Sequence, residues 1–233
     1  GDLTTFLGWR DTDSLPVTLA NKLSEVVRED NANPFAGILH HNENVDLVPS
    51  NLELAGLEQS MLNVLSRESV LKNYLNQVKN SYDYVVIDTM PSLGLITLNA
   101  LVAADSVIVP VQAQYLPAKG MTQLLQTVSK VKRQINPDLQ IEGILLTLVD
   151  NRTNLSRSTA TALKENFGKH IKIFGSTIPI AVKAAEVSSK GQSIYSYEPN
   201  SPVSKAYAEF TKEVLADANR QKERLHASHD RTR

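Results

Sequence analysis

Short apolar runs, separated by stretches whose apolar residues repeat at helical spacing, constrain this chain more than any other feature. Tyr84-Val85-Val86-Ile87 is an unbroken apolar run, and further strands are predicted at Val107-Ile108-Val109, from Ile141 to Leu148 and near Ile171 to Phe174. A strand with one wet face alternates apolar and polar residues, whereas a strand buried on both faces reads as a continuous run. Between the runs, Val70, Leu71, Tyr74, Leu75 and Val78 mark a helix over 69–78, and further helices are predicted over 95–102, 118–135, 155–167 and from Ser204 to about Arg224. This alternation predicts an α/β fold with a mostly parallel central sheet flanked by helices on both faces.

The 233 residues, 42% of them hydrophobic, suffice for one sizeable core, so a single domain over 1–233 is expected, with a flexible tail over about 221–233. Lys plus Arg number 24 against 25 Asp plus Glu, so any nucleic-acid binding must come from a local patch. With no Cys, disulfides, thiolate zinc sites and cysteine nucleophiles are excluded. No apolar run approaches the roughly 20 residues of a membrane span, and the opening residues lack the order of a signal peptide. A soluble, cytoplasmic protein is expected. His40 and His41 are adjacent in a polar loop, a spacing that suits no zinc site, and Phe6, Trp9, Tyr74 and Tyr82 read as packing residues. No Gly-x-Gly-x-x-Gly follows a predicted strand, which argues against a dinucleotide-binding dehydrogenase.

The chemistry concentrates after the first run, where Tyr84-Val85-Val86-Ile87 is followed by Asp88-Thr89-Met90-Pro91-Ser92-Leu93-Gly94. In an open parallel sheet, ligands sit beyond the carboxyl ends of the strands, so Asp88 emerges where a phosphate and its magnesium would lie. Magnesium takes hard oxygen ligands and keeps several waters. Taken alone, the pattern leaves two readings open, a Walker-B carboxylate or a cap for the following loop.

The longer word Tyr82 to Gly94 resembles the Walker-B and switch-II segment of the ParA/MinD ATPases. The resemblance continues through Leu98-Asn99-Ala100-Leu101, Ala104-Asp105, Val109-Pro110-Val111-Gln112, Gly120, Asn136-Pro137, Gly143 to Thr147, Arg152 to Ser156, Ile178-Pro179, Glu186 and Tyr197 to Ser201. Even Gly1 to Thr5 resembles the segment that follows the family's switch-I motif, with Asp2 where Asn is usual. The implied fold is that of a P-loop NTPase of the deviant Walker-A class. The family's glycine-rich loop lies upstream of the matching region, and no G-x-x-x-x-G-K-[ST] occurs in these residues. A preceding segment of about 35–45 residues, a strand, loop and helix, is therefore expected, and the 233 residues alone are expected to be inactive.

For a ParA-type (Soj-like) partition ATPase, the resemblance implies ATP and Mg2+ as cofactors, an ATP-driven homodimer, nonspecific DNA, a centromere-binding ParB-type partner and no membrane. The protein would be cytoplasmic and associated with the nucleoid. Asp88, Thr89 and Pro91 would belong to the catalytic segment, with Asp88 holding the magnesium through water. Asp150, Arg152, Ile178 and Pro179 would contact the nucleotide, and Arg152 and Lys183 would contact DNA phosphates. Lys164, Lys169 and Lys172, with Arg220, Lys222 and Arg224 of the tail, would extend the patch. The pair after Ile178-Pro179, Ile180-Ala181, and the run Ala185 to Ser188 depart from the family pattern, which bears on the DNA site more than on the fold. A non-catalytic scaffold or regulator and a MinD-like positioning ATPase are the alternatives.

Overall fold

A computed structural model describes residues 2–113, 118–150 and 152–230, with side chains described for all of these except 118, 119 and 219–230. In chain order the first elements are α1 (Asp2–Phe6), α2 (Leu19–Arg28), β1 (Leu39–His41), β2 (Val45–Leu47), α3 (Glu53–Ser60), α4 (Val70–Val78) and α5 (Leu95–Ala103). There follow β3 (Ser106–Gln112), α6 (Ala118–Gln134), β4 (Gln140–Val149), α7 (Asn154–Phe167), β5 (Ile173–Pro179), α8 (Val182–Val187), α9 (Ile194–Tyr197) and α10 (Pro202–Asp230). They fall into two compact units, one of residues 1–107, 118–140 and 186–193, the other of 108–117, 141–185 and 194–233.

The first unit is built around Leu23, Met61, Val70, Leu71, Tyr74, Val78 and Ala100, which are buried together, with Leu57, Ile87, Leu95 and Ile96 packed against them. The predicted stripe of α4 is the stripe that is buried, because positions three and four apart share a helix face. Two polar residues lock α5 into this unit. Asn99, fully buried, accepts from the Leu71 N–H at 3.0 Å and donates to the Arg67 and Leu95 carbonyls at 2.8 and 3.0 Å. Asn136 donates its amide to the carbonyls of Leu101, Val102 and Ala104 at 3.1, 3.2 and 2.8 Å, serving the orphan acceptors at the end of α5. The hairpin of β1 and β2 turns with Asn44 at φ 58°, a left-handed position that Asn tolerates well.

The second unit holds a three-stranded sheet in the order β3-β4-β5, with β4 and β5 parallel. Leu145, Phe174, Ile178 and Val203 form its core, joined by Ile108, Ala206, Phe210 and Val214, so that α10 covers one face of β5. The fold is thus α/β, a parallel sheet flanked by helices. The last strand runs further than the apolar pattern around Ile171 to Phe174 predicts, through Gly175, Ser176 and Thr177. Edge N–H groups there are satisfied from outside: Glu213 of α10 accepts from Gly175 and Ser176, each at 3.1 Å.

One predicted strand requires correction. Tyr84-Val85-Val86-Ile87 forms no ladder among the described residues, and Tyr84, Val85 and Val86 are 61%, 45% and 88% exposed. A strand exists through backbone pairing with a neighbour, and this run forms no such ladder among the described residues; of its four residues only Ile87 packs against the core. Phe6 is likewise half exposed rather than packed, while Tyr74 is buried and Trp9 meets His41 edge-on at 6.0 Å. The tail reading over 221–233 falls on residues whose side chains lie outside those described.

Candidate active site

In the first unit, the segment carrying Asp88 is a loop tied down at both ends. Upstream, the Tyr82 hydroxyl donates to Asp46 Oδ2 at 2.8 Å, and His40 Nδ1 lies 2.6 Å from Asp46 Oδ1. The His40 and Tyr82 hydrogen bonds hold the Asp46 carboxyl below the usual carboxylate range. Downstream, Gly94 adopts an extended conformation before α5, and its carbonyl accepts from the Leu98 N–H at 3.0 Å. Glu58 of α3 receives the Leu95 N–H, and the Ile96 N–H at 3.4 Å. Between these anchors Asp88, Thr89 and Pro91 are all exposed, with a tight turn in which the Ser92 N–H donates to the Met90 carbonyl at 2.8 Å.

No group of three His, Cys, Asp or Glu side chains capable of holding a metal occurs among the described residues. Magnesium does not require one, since it is commonly held by one or two carboxylates, phosphate oxygens and retained waters. An exposed carboxylate such as that of Asp88 can serve this role through the ion's retained waters.

The second unit brings the other predicted nucleotide residues together. Val149 at the end of β4 pairs with Pro179 at the end of β5, and the Ile180 N–H donates to the Val149 carbonyl at 3.1 Å. Asp150 and Arg152 therefore share one carboxyl edge of a parallel sheet with Ile178 and Pro179. Ile178 is buried in the unit's core, which leaves its backbone and Pro179 as the outward part of that pair. The register shifts between the Leu146 and Val149 pairs, where Leu148 sits at φ 51°, a left-handed conformation unfavourable for leucine. Such irregularities re-aim the end of a strand.

The turn after β4 is closely built. The Asp150 carboxylate accepts from the Arg152 backbone N–H at 3.0 Å and from its Nε and Nη2 at 2.9 Å each. The Arg152 side chain accordingly holds the Asp150 carboxyl below its ordinary range. Thr153 Oγ1 caps α7 by accepting from the Ser156 N–H at 3.3 Å.

The two predicted DNA contacts are thus partnered cations. Arg152 is 87% exposed but spends its fork on Asp150, and Lys183 lies 3.7 Å from Glu198 and 5.4 Å from the Tyr197 ring centroid. Lys172 likewise pairs with Glu213 at 3.1 Å and with Asp217. Lys164 and Lys169 are exposed, whereas the side chains of Arg220, Lys222 and Arg224 lie outside those described. Sequence reasoning missed Glu58 and Asp46, whose partners are distant along the chain.

A family model described as an AAA domain matches residues 3–141. The sporulation initiation inhibitor protein Soj of Bacillus subtilis is 44% identical over 175 residues, covering 75% of this chain and 68% of that protein. The chromosome-partitioning ATPase Soj of Treponema pallidum is 37% identical over 173 residues, covering 74% and 68%. The chain thus spans about two thirds of the length of these relatives. Among solved structures, cobyrinic acid a,c-diamide synthase from Mycobacterium smegmatis with a bound ATP analogue and magnesium aligns with a TM-score of 0.70 and 38% identity, over 81% of this chain and 74% of that one. The matched family model and these relatives place the chain in the Soj/ParA family of the ParA/MinD ATPases.

Proposed function

We propose that the protein is an ATP-dependent DNA partition protein, which dimerises on ATP, binds DNA nonspecifically and answers to a ParB-type partner. One observation carries the reading: an exposed Asp88 on a loop anchored at both ends, in a chain 44% identical to Soj. Magnesium bound with ATP would neutralise charge developing on the phosphoryl oxygens. Asp88 would hold the waters of that ion, and Thr89 to Gly94 would take up a position set by the phosphate. The exposed apolar edge of Tyr84 to Val86 supports a further step, in which a strand upstream of Gly1 pairs here and delivers the glycine-rich phosphate loop. Asp150 and Pro179 would contact the base, and Arg152 and Lys183 would meet DNA phosphates once released from their carboxylates. Phosphate contacts carry no sequence information, which suits nonspecific binding.

The amide-synthase name of the structural neighbour belongs to that protein; nucleotide use is what it shares with the partition relatives. The full-length gene product with ATP and magnesium is expected to dimerise, to turn over ATP slowly and to retain DNA in a salt-sensitive manner. Asp88→Ala is expected to lower turnover by about a hundredfold or more. A full-length protein that binds no nucleotide would overturn the proposal in favour of a scaffold. Retention on anionic vesicles in place of DNA would favour a positioning ATPase; no helix among the described residues is long and apolar enough to cross a membrane.

A further inference from the structure

The N-terminus of α5 is capped from another element. The first N–H groups of any helix lack intrahelical partners, and the usual remedy is Ser, Thr, Asp or Asn at the position before the first turn. That position is Gly94, which has no side chain to offer. Its place is taken by Glu58, which reaches across from α3 so that one carboxylate oxygen receives the N–H groups of both Leu95 and Ile96.

A second observation shows that this approach depends on glycine. A Cβ placed on Gly94 would lie 2.4 Å from Glu58 Oε1 and 3.3 Å from its Cδ, so any other residue would push the carboxylate out. The φ of Gly94 is −74°, an ordinary value for any residue, and conformational freedom therefore does not account for the glycine. Space for Glu58 does. A carboxylate is also the favoured partner at this end of a helix, where the backbone dipole is positive.

We infer that Glu58 is a positioning residue for the Thr89–Gly94 segment. The carboxylate fixes the start of α5, to which the segment is joined directly, while Asn99 and Asn136 fix the body and end of the same helix. The exposed loop bearing Asp88 is thereby attached to a helix whose position is set at three points, and α3 is one of them. Glu58 touches neither nucleotide nor magnesium in this role; it acts through the backbone of Leu95 and Ile96. The consequence for turnover rests on the ATPase reading proposed above, whereas the local tether does not.

Two measurements separate these. In nucleotide-free full-length protein, Glu58→Ala is expected to speed amide hydrogen exchange at Leu95 and Ile96 by about ten- to a hundredfold, the worth of a hydrogen bond to a charged group. Glu58→Gln, which keeps an oxygen acceptor, is expected to restore most of the protection. In steady-state assays with ATP and magnesium, Glu58→Ala is expected to lower kcat by about tenfold with KM for ATP little changed, and Glu58→Gln to recover most of the loss. Unchanged exchange at Leu95 and Ile96 would overturn the tether itself. Altered exchange with unchanged kcat would overturn the positioning role, and absent turnover in the unmutated protein would instead remove the ATPase reading while leaving the tether standing.

Discussion

Replacing Asn99 with Ala tests how the helix behind the Asp88 loop is held. The side chain is fully buried, and it joins the Leu71 N–H, the Arg67 carbonyl and the Leu95 carbonyl through bonds of 3.0, 2.8 and 3.0 Å. Leu71 is the second residue of α4, so its N–H has no carbonyl of its own helix to replace the lost acceptor. The Leu95 carbonyl stands four residues before Asn99 and keeps its helical partner. The Leu71 N–H is therefore left without its acceptor, whereas the Arg67 carbonyl loses only its amide donor, for a total loss of about 1–3 kcal/mol. At about 2–4 °C per kcal/mol for a chain of this size, Tm falls by about 2–12 °C. Trp9, the only tryptophan, lies in the same unit, so its fluorescence in urea follows the relevant transition. Asn99→Asp keeps an acceptor for Leu71 but turns a carboxylate oxygen toward two carbonyls, and is expected to cost at least as much. A loss below about 0.5 kcal/mol for Asn99→Ala, the range of ordinary surface changes, would refute the account.

Burial pushes the Tyr74 hydroxyl up to about 12, above its unfolded value near 10. The unfolded chain then binds fewer protons across that window, so stability falls by about 2 kcal/mol as pH rises from 10 to 12. Tyr74→Phe, which also loses the 3.1 Å bond to the Pro34 carbonyl, is expected to flatten this alkaline limb in urea titrations, and an unchanged limb would refute it. For Asp46 the sign is opposite: a depressed carboxyl stabilises the fold above the unfolded value near 4, and that contribution is lost as pH falls through the folded one. Asp46→Asn is expected to remove part of the acid dependence below about pH 4, measured by the urea midpoint. Asp150→Asn is expected to free the Arg152 fork and strengthen DNA retention, whereas Arg152→Ala is expected to weaken it alike on all sequences and to lower the salt slope by about one. Equal retention by both variants would remove Arg152 from the interface.

The words that made the chain legible are the ones with local or helix-to-helix hydrogen-bonding duties. Asn99 in Leu98-Asn99-Ala100-Leu101 ties α5 to α4, Asn136 in Asn136-Pro137 closes the end of α5, and Thr153 in Arg152 to Ser156 caps α7. An amide that must donate and accept at once has few substitutes, so the residue type stands out in the sequence even when its partners do not. Periodicity likewise placed α4, α5, α6, α7 and α10 and the three strands of the sheet, because burial alone sets those patterns, whereas α2 and α3 went unread. Glu58 and Asp46 were illegible for the converse reason. A glutamate on a polar helix reads as a solvated face until the fold brings Leu95, 37 residues away, against it, and Asp46 meets Tyr82 across 36 residues. Tyr84 to Val86 show the limit from the other side. Their apolar run encodes burial on both faces of a sheet, and the described residues leave it exposed, so the pattern states a need that these residues do not meet. On the function proposed above, a pairing strand would cover this run, which lies immediately before the carboxylate on which the proposed chemistry depends.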